Sequence, residues 1–263
     1  MQELIIIKLG GSVITDKSRE YTPREDNIKR FAEEIRESEK VFKGKFIIGH
    51  GAGSFAHTPA AKFQTKKGLI NSRSLMGAAI TEEAARALNA ILIRNFVSKK
   101  LPVFPFSPAS FLISDIQVYK KSYLDTIKTA LSTGFLPVVY GDVVMDKITG
   151  FTIFSTEKVL SVLAGELKKD YKIRQIFVTD VDGVLDESGK TIRVISGKNF
   201  TVAKKSILGA RGKDVTGGML HKVEEALMLA KKYKISTLIV NGDKKGKLKQ
   251  AILGGEAGGT FIT

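Results

Sequence analysis

Short, strongly apolar segments alternate with amphipathic segments along the whole chain. The apolar segments are rich in Ile, Val and Phe, and they lie at residues 4–9, 45–49, 101–106, 135–140, 175–179 and 237–241. Runs of this length and composition are typical of strands buried on both faces of a parallel sheet. Helical periodicity is found between them, at residues 24–38, 74–99, 122–132, 157–169 and 218–233. The alternation predicts an α/β fold with an open, mainly parallel sheet in a three-layer αβα sandwich.

One stretch, residues 140–154, departs from this alternation. Turn-forming residues, among them Asp146 and Gly150, divide it into two short apolar halves, which predicts an antiparallel hairpin. The stretch falls near the middle of the 263 residues. We therefore place a lobe boundary at residue 150, giving lobes of residues 1–150 and 151–263. Because no flexible linker separates them, both lobes are expected to share one sheet.

Composition and charge exclude several classes of function. The absence of cysteine excludes disulfide scaffolds, thiolate zinc sites, iron–sulfur clusters and cysteine nucleophiles. The 42 Lys and Arg residues against 27 Asp and Glu give a net charge of +15, which favours phosphorylated ligands. The lysines are scattered, without a basic–aromatic stripe, so a nucleic-acid partner is not expected. No apolar run approaches the roughly 18 residues of a membrane helix, and the N-terminus lacks a signal-peptide layout. We expect a cytoplasmic protein without a membrane partner.

Four glycine-containing loops follow predicted strands, at the edge of the sheet where open α/β proteins bind ligands. The first, residues 8–12, reads Lys-Leu-Gly-Gly-Ser. Paired glycines let the backbone approach an anion, and Lys8 and Lys17 would add positive charge. From spacing alone, an ordinary strand-to-loop turn explains this segment equally well.

The second loop, residues 49–57, carries three alternate glycines and ends at His57. We predict that its backbone cradles a phosphate and that His57 stands near a helix N-terminus, where the potential is positive. His50 is expected only to form local hydrogen bonds. A dinucleotide site would need an acidic residue about 20 positions later, and residues 60–81 contain neither Asp nor Glu. We therefore reject the dinucleotide interpretation.

The third and fourth loops lie in the second lobe. The third, residues 179–183, reads Thr-Asp-Val-Asp-Gly, a strand end also found in haloacid-dehalogenase-type phosphatases, so hydrolysis at Asp180 is an alternative. An Asp-rich turn without function is another alternative.

The fourth loop, residues 214–222, places two glycines at a helix N-terminus and Lys222 one turn into the helix. His221 is expected at the surface. No Gly-x-x-x-x-Gly-Lys-Ser/Thr sequence exists, which excludes a P-loop.

With these loops in this order, the chain resembles the amino acid kinase superfamily, and most closely the archaeal-type isopentenyl phosphate kinases. The first, third and fourth loops carry marks of the whole superfamily, whereas the Gly-His-Gly-x-Gly-Ser-Phe-x-His loop is narrower. Its His57 matches the histidine with which isopentenyl phosphate kinases hold the substrate phosphate. The chain departs from the family at Ala52 and Ala56, where glycine is usual, and at Ser155-Thr156-Glu157, where Ser-Gly-Asp is usual.

The resemblance implies MgATP-dependent transfer of a phosphoryl group to isopentenyl phosphate. Another acceptor (fosfomycin or a small carboxylate) and a non-enzymatic basic binder remain alternatives.

The residues implied in catalysis are Lys8, Lys17 and His57. Those implied in acceptor binding are Ala52, His57 and Gly141. Those implied in ATP binding are Lys8, Gly10, Gly11, Ser12, Gly53, Asp180, Gly218 and Lys222, with Gly53 also near the acceptor phosphate. Mg²⁺ is expected to bind through ATP oxygens and water, with no protein ligand assigned. The resemblance also implies a homodimer formed through the first lobe. An apolar wall for the isoprenoid is expected at Leu75, Met76, Ala79 and Ile80.

Overall fold

The computed structural model describes residues 1–209 and 218–263. The strands in these ranges are β1 (Gln2–Leu9), β2 (Lys45–His50), β3 (Val103–Pro105), β4 (Leu112–Asp115), β5 (Val118–Ser122), β6 (Leu136–Tyr140), β7 (Asp142–Asp146), β8 (Gly150–Phe154), β9 (Tyr171–Thr179), β10 (Val194–Ile195), β11 (Thr237–Asn241) and β12 (Thr260–Ile262). The helices are α1 (Gly11–Ile14), α2 (Glu25–Glu39), α3 (Gly53–Phe63), α4 (Ser74–Ser98), α5 (Pro108–Phe111), α6 (Asp125–Thr133), α7 (Thr156–Leu167), α8 (Phe200–Gly209), α9 (Gly218–Tyr233) and α10 (Lys247–Leu253).

The main sheet contains eight of the described strands, in the order β10-β12-β11-β9-β1-β2-β6-β3. All neighbours from β11 to β3 are parallel, and β12 runs antiparallel to β11. Strand β1 lies between β2 from the first half of the chain and β9 from the second. The prediction of a mainly parallel sheet shared by both halves is confirmed, and all six predicted strands belong to it.

Helices cover both faces of this sheet. Alternate residues of β1 point to opposite faces: Ile5 and Ile7 belong to a core shared with α2, α4 and α10, whereas Leu4 and Ile6 belong to a core shared with α6 and α7. Helices α8 and α9 cover the continuation of the second face beyond β9. Burial on both faces explains why β1 is a continuous apolar run rather than an alternating one. The predicted three-layer αβα sandwich is confirmed.

The predicted hairpin is also confirmed, because β7 and β8 pair antiparallel. It does not join the main sheet, however. Together with β4 and β5 it forms a separate four-stranded sheet in the order β5-β4-β7-β8, which the sequence did not predict. Strands β4 and β5 are short, and β5 is largely exposed and lysine-containing, so neither produces the apolar run that marks a buried strand.

In the described residues, no helix is both long and apolar enough to cross a membrane.

Candidate active site

The first two glycine loops pack backbone against backbone. Because β1 and β2 are parallel neighbours, their carboxyl ends lie side by side, and the Gly51 amide donates to the Leu9 carbonyl at 2.9 Å. A Cβ atom on Gly11 would lie 2.7 Å from Cα of Gly53, and Gly53 itself has a φ of +52°. Only glycine permits this approach and this backbone conformation. The two loops therefore form one continuous surface of main-chain atoms.

Thr15 fixes this surface to the start of α3. Its hydroxyl donates to the Gly11 carbonyl at 2.7 Å and accepts from the Ser54 amide at 3.0 Å. Ser54 is the second residue of α3, so the N-terminal turn of that helix faces the first glycine loop. The helix begins at Gly53, four residues before His57. His57 consequently lies one turn inside α3 rather than at the end of the loop, which corrects the prediction for its local position.

His57 is in electrostatic contact with the predicted catalytic lysines. Its imidazole is exposed to solvent, and neighbouring protein atoms desolvate it in part. This desolvation lowers the pKa of His57, and the positive charges of Lys17 and Lys8 lower it further. The ring is therefore biased toward its neutral form, in which one nitrogen donates and the other accepts a hydrogen bond. His57 is thus within electrostatic range of both Lys17 and Lys8.

Lys8 forms a buried ion pair with Glu157. The two side chains are 6% and 9% exposed, and the Lys8 ammonium donates to Oε1 of Glu157. Desolvation by itself would raise the pKa of the Glu157 carboxyl, but the charges of Lys8 and Lys222 outweigh it and hold this pKa well below its usual range. Glu157 therefore remains ionised. The sequence analysis assigned no role to this carboxylate, because Lys8 is 149 positions away.

The first turn of α9 faces the same ion pair from the second lobe. Lys222 donates to the Gly218 carbonyl at 3.0 Å, and its charge acts on Glu157. His221 is exposed, as predicted, and contacts the Ser155 hydroxyl at 3.2 Å. Gly218 and Lys222 thus lie where the sequence analysis expected them. The preceding part of the fourth loop, residues 214–217, lies outside the described residues.

The third loop separates its two carboxylates. Asp180 follows β9 directly and is exposed, without a hydrogen bond or ion pair to any described residue. Asp182 instead accepts from Asn241 at 3.0 Å and pairs with Lys244 at 2.6 Å, which lower its pKa. An open cavity of about 510 Å³ adjoins Asp182, lined by Lys190, Arg193, Lys244, Lys247 and neighbouring residues. Of these two carboxylates, Asp180 is the one that no described side chain engages.

Gly141 joins the site from the end of β6. A Cβ atom there would lie 3.1 Å from both the amide and the hydroxyl of Thr156, the first residue of α7. Thr156 in turn donates to the His50 carbonyl at 2.7 Å. His50 is fully buried, contacts Gly51 and Asn89, and has its pKa lowered by that burial. The contact with Gly51 is local, as predicted, but the contact with Asn89 on α4 spans 39 positions, so the prediction of local hydrogen bonds alone was wrong.

The residues expected to form the isoprenoid wall do not form a closed surface. Leu75 and Met76 are 68% and 64% exposed, and Ala79 is exposed as well. The buried face of α4 instead presents Ala78, which packs against Val143 and Phe151 of the small sheet. Leu75, Met76 and Ala79 thus lie outside this core, and their contact with the isoprenoid stays a prediction.

Comparisons with known proteins place this site in a family. The model of the amino acid kinase family matches residues 3–241. The isopentenyl phosphate kinase of Methanocaldococcus jannaschii is 34% identical over 269 aligned residues that cover 98% of each chain. That of Methanothermobacter thermautotrophicus is 33% identical and covers 99% of each. A solved isopentenyl phosphate kinase superposes with a TM-score of 0.84 at 30% identity, covering 99% of this chain and all of the other. The chain therefore belongs to the amino acid kinase family, and within it to the isopentenyl phosphate kinases.

Proposed function

We propose that this protein transfers the γ-phosphoryl group of ATP to isopentenyl phosphate, yielding isopentenyl diphosphate and ADP. One observation carries the proposal beyond family membership: His57 lies one helical turn from the point where Gly53 packs against Gly11, within electrostatic range of Lys17. A phosphate held by the second loop would then lie next to a phosphate held by the first. Phosphoryl transfer depends mainly on such positioning and on charge stabilisation.

The nucleotide phosphates are assigned to the surface around β1. Gly11 and Ser12 provide main-chain donors, with Gly53 beside them, while Asp180 and Gly218 flank the nucleotide. The Gly10 amide donates to the Val178 carbonyl at 2.9 Å, so Gly10 contributes close backbone approach rather than a donor. Lys8 and Lys222 supply positive charge, and both of these charges act on the Glu157 carboxylate. The carboxylate offsets the mutual repulsion of the two ammonium groups when no nucleotide is bound. It also fixes the Lys8 ammonium at the end of β1, directed toward the loops.

The acceptor phosphate is assigned to Ala52, His57 and Gly141. The attacking oxygen belongs to a phosphate that is already ionised near neutral pH, so the reaction requires no strong general base. A histidine donor suits this position because a carboxylate would repel the dianion. Lys17, exposed and electrostatically close to His57, would stabilise negative charge on the group in transfer. The hydrocarbon tail is proposed to contact the exposed apolar residues of α4, Leu75, Met76 and Ala79.

Magnesium is proposed to arrive with ATP. Mg²⁺ prefers oxygen ligands and usually retains waters while binding phosphate oxygens and one or two carboxylates. Asp180 fits such a role, because its exposed carboxylate is not engaged by the other described side chains. Glu157 fits it less well, since its carboxylate is already paired with Lys8. The metal would supply charge neutralisation on the phosphates, and the chain would supply their alignment.

The lobe boundary, the oligomer and the location are proposed on similar grounds. Residues 1–150 would hold the acceptor and residues 151–263 the nucleotide. On the side of the first lobe, the main sheet ends at the edge strand β3. This strand carries Phe104, which is 46% exposed and contacts Phe106 and Phe135. Exposed edges with apolar side chains are places where chains pair. We propose a homodimer that covers this edge, and a cytoplasmic location where ATP is available.

The substitution His57→Ala tests the assignment of the acceptor site. We expect it to reduce kcat/KM for isopentenyl phosphate at least a hundredfold while the affinity for ATP, measured by calorimetry, changes less than twofold. Thr58→Ala, at the next and also exposed position of α3, is the matched control and should leave both quantities unchanged. An equal loss of ATP binding in His57→Ala would place this histidine on the nucleotide side and refute the assignment.

A further inference from the structure

A chain of buried polar groups lies directly behind Gly141. The Tyr140 ring stacks on His50 with 5.5 Å between ring centres, and its phenol is hydrogen-bonded to Ser107. The Ser107 hydroxyl donates to Oδ2 of Asp142 at 2.8 Å. Tyr140 and Asp142 are each only 2% exposed, so Gly141 is flanked on both sides by buried side chains. Neither residue is used by the reaction as proposed above.

Asp142 marks the point where the chain leaves the main sheet and enters the small one. Its carboxylate accepts from the Ser107 hydroxyl, from the Ala109 amide at 3.2 Å and from its neighbour, the Val143 amide, at 2.8 Å. All three groups are donors, and two of them are main-chain amides. An ionised carboxylate can satisfy them together, since it has only acceptor sites. An asparagine cannot, because either orientation of its amide turns an NH₂ group toward one of the two main-chain N–H groups.

We propose that Asp142 is a positioning residue for the acceptor phosphate: its ionised carboxylate fixes the Tyr140–Gly141–Asp142 crossover, and acceptor binding weakens when the carboxylate is protonated. The role of Gly141 in this inference rests on the function proposed above. The anchoring itself does not, because it follows from the three donors around Asp142 and from the contact between Gly141 and Thr156.

The surroundings of Asp142 allow its protonation to change near neutral pH. Burial raises the pKa of this carboxyl to about 6, and the negative charge of Glu82 on α4 adds to the shift, although the three donors oppose it. Tyr140 on β6 faces the carboxylate, but burial and the Asp142 charge raise the pKa of the phenol to about 12, so it stays neutral. Arg86 on α4 acts on the phenol. The adjacent α5 and β8 contribute no titratable side chain.

Steady-state kinetics of Asp142→Asn give the first test. Loss of one charge-assisted hydrogen bond to a main-chain amide should raise KM for isopentenyl phosphate roughly tenfold or more. KM for ATP should change less than twofold. The control is Asp146→Asn, at the other end of β7, where an equally buried carboxylate accepts from Ser114 and three main-chain amides. Equal effects of the two substitutions on acceptor KM would overturn the proposal.

The pH dependence separates positioning from general loss of structure. The second ionisation of the substrate phosphate has a pKa of about 6, so it produces an acid limb by itself. In the wild type, log kcat/KM for the acceptor should fall below pH 6 with a slope between one and two, and in Asp142→Asn with a slope of one. Ser107→Ala removes a hydrogen-bond donor that lowers the pKa of Asp142. In this variant, the part of the acid limb that Asp142 produces should therefore move to higher pH. If the wild type, Asp142→Asn and Ser107→Ala show the same acid limb of log kcat/KM, the proposal is refuted.

Hydrogen exchange gives a readout that does not require activity. Amide exchange should accelerate at least tenfold in Asp142→Asn in the peptide covering residues 138–145 or in the peptide covering Ala109, because either Val143 or Ala109 loses its acceptor, while the β9 peptide should not change. If exchange is unaltered, the anchoring inference fails even if the wild type is an active kinase. If the wild type does not phosphorylate isopentenyl phosphate but the exchange result holds, the proposed function fails and the anchoring role stands.

Discussion

The buried ion pair between Lys8 and Glu157 should make the free protein depend strongly on the Glu157 charge. Glu157→Gln keeps the shape of the side chain but leaves the Lys8 ammonium, 5% exposed, without its counter-charge. Two unit charges 4 Å apart attract by about 4 kcal/mol at an effective dielectric constant of about 20. Removal of one partner of a buried pair typically costs about 3–5 kcal/mol. We expect the free energy of unfolding to fall by about 3 kcal/mol.

Urea unfolding followed by circular dichroism measures this difference. The matched control is Glu224→Gln, whose carboxylate pairs with Lys204 at 3.1 Å, with side chains 44% and 43% exposed; its loss should cost less than about 1 kcal/mol. The double variant Lys8→Met/Glu157→Gln should be more stable than Glu157→Gln alone, because no unpaired charge remains buried. If Glu157→Gln is no less stable than the control variant, or if the double variant is less stable than both single variants, the reasoning is wrong.

The pH dependence of this contribution follows from the direction of the shift. The pKa of Glu157 is lowered in the folded protein from its usual value of 4.5 to about 2. The folded state therefore releases this proton more readily than the unfolded state, and the contribution is fully present above pH 4.5. It is lost as the pH falls through the folded value. The stability difference between wild type and Glu157→Gln should be constant from pH 5 to 8 and should shrink below pH 4.5.

Three further changes have defined outcomes. Gly11→Ala should abolish turnover, because its Cβ would overlap the second loop. Gly197→Ala should retain turnover, because a Cβ there has open space. Equal activity of the two variants would contradict the packing of the loops. The His57 pKa, followed by NMR, should lie below 6.5 in the free protein and rise when isopentenyl phosphate binds; a value above 6.5 without ligand would be inconsistent with its surroundings. Thr156→Ala leaves the buried His50 carbonyl without this donor and should cost about 1–3 kcal/mol in urea unfolding; no measurable loss would show that another group replaces it.

The sequence predicted the main sheet because its strands obey a simple rule. A strand buried on both faces is largely apolar, as residues 4–9 are apart from Lys8, and a short continuous run rich in Ile favours such a strand. Half of the small sheet, the β7–β8 hairpin, was predicted, whereas β4 and β5 were not, because both are short and β5 is largely exposed. A helix N-terminus was expected near His57, but the extent of α3 was not predicted: the helix begins within a glycine-rich loop and contains Pro59, both unfavourable for helices, and packing against α4 overrides that tendency.

The same contrast holds within the site. Gly11, Gly53 and His57 could be predicted because glycines needed for backbone approach leave a local pattern. Glu157 and Asp142 could not be assigned a role, because their importance depends on partners brought to them by the fold. Lys8 lies 149 positions from Glu157, and Ser107 lies 35 positions from Asp142. A single carboxylate in an apolar stretch is a weak local signal until burial shows that it must be paired.

The most direct test of the proposed function is ADP release with MgATP and a panel of acceptors. The panel contains isopentenyl phosphate, dimethylallyl phosphate, fosfomycin, glutamate, acetylglutamate and UMP, and every reaction is repeated with the His57→Ala variant. The account predicts turnover with the isoprenoid monophosphates alone and loss of that turnover in the variant. Turnover with a different acceptor, or with isopentenyl phosphate at the same rate in the variant, would contradict it.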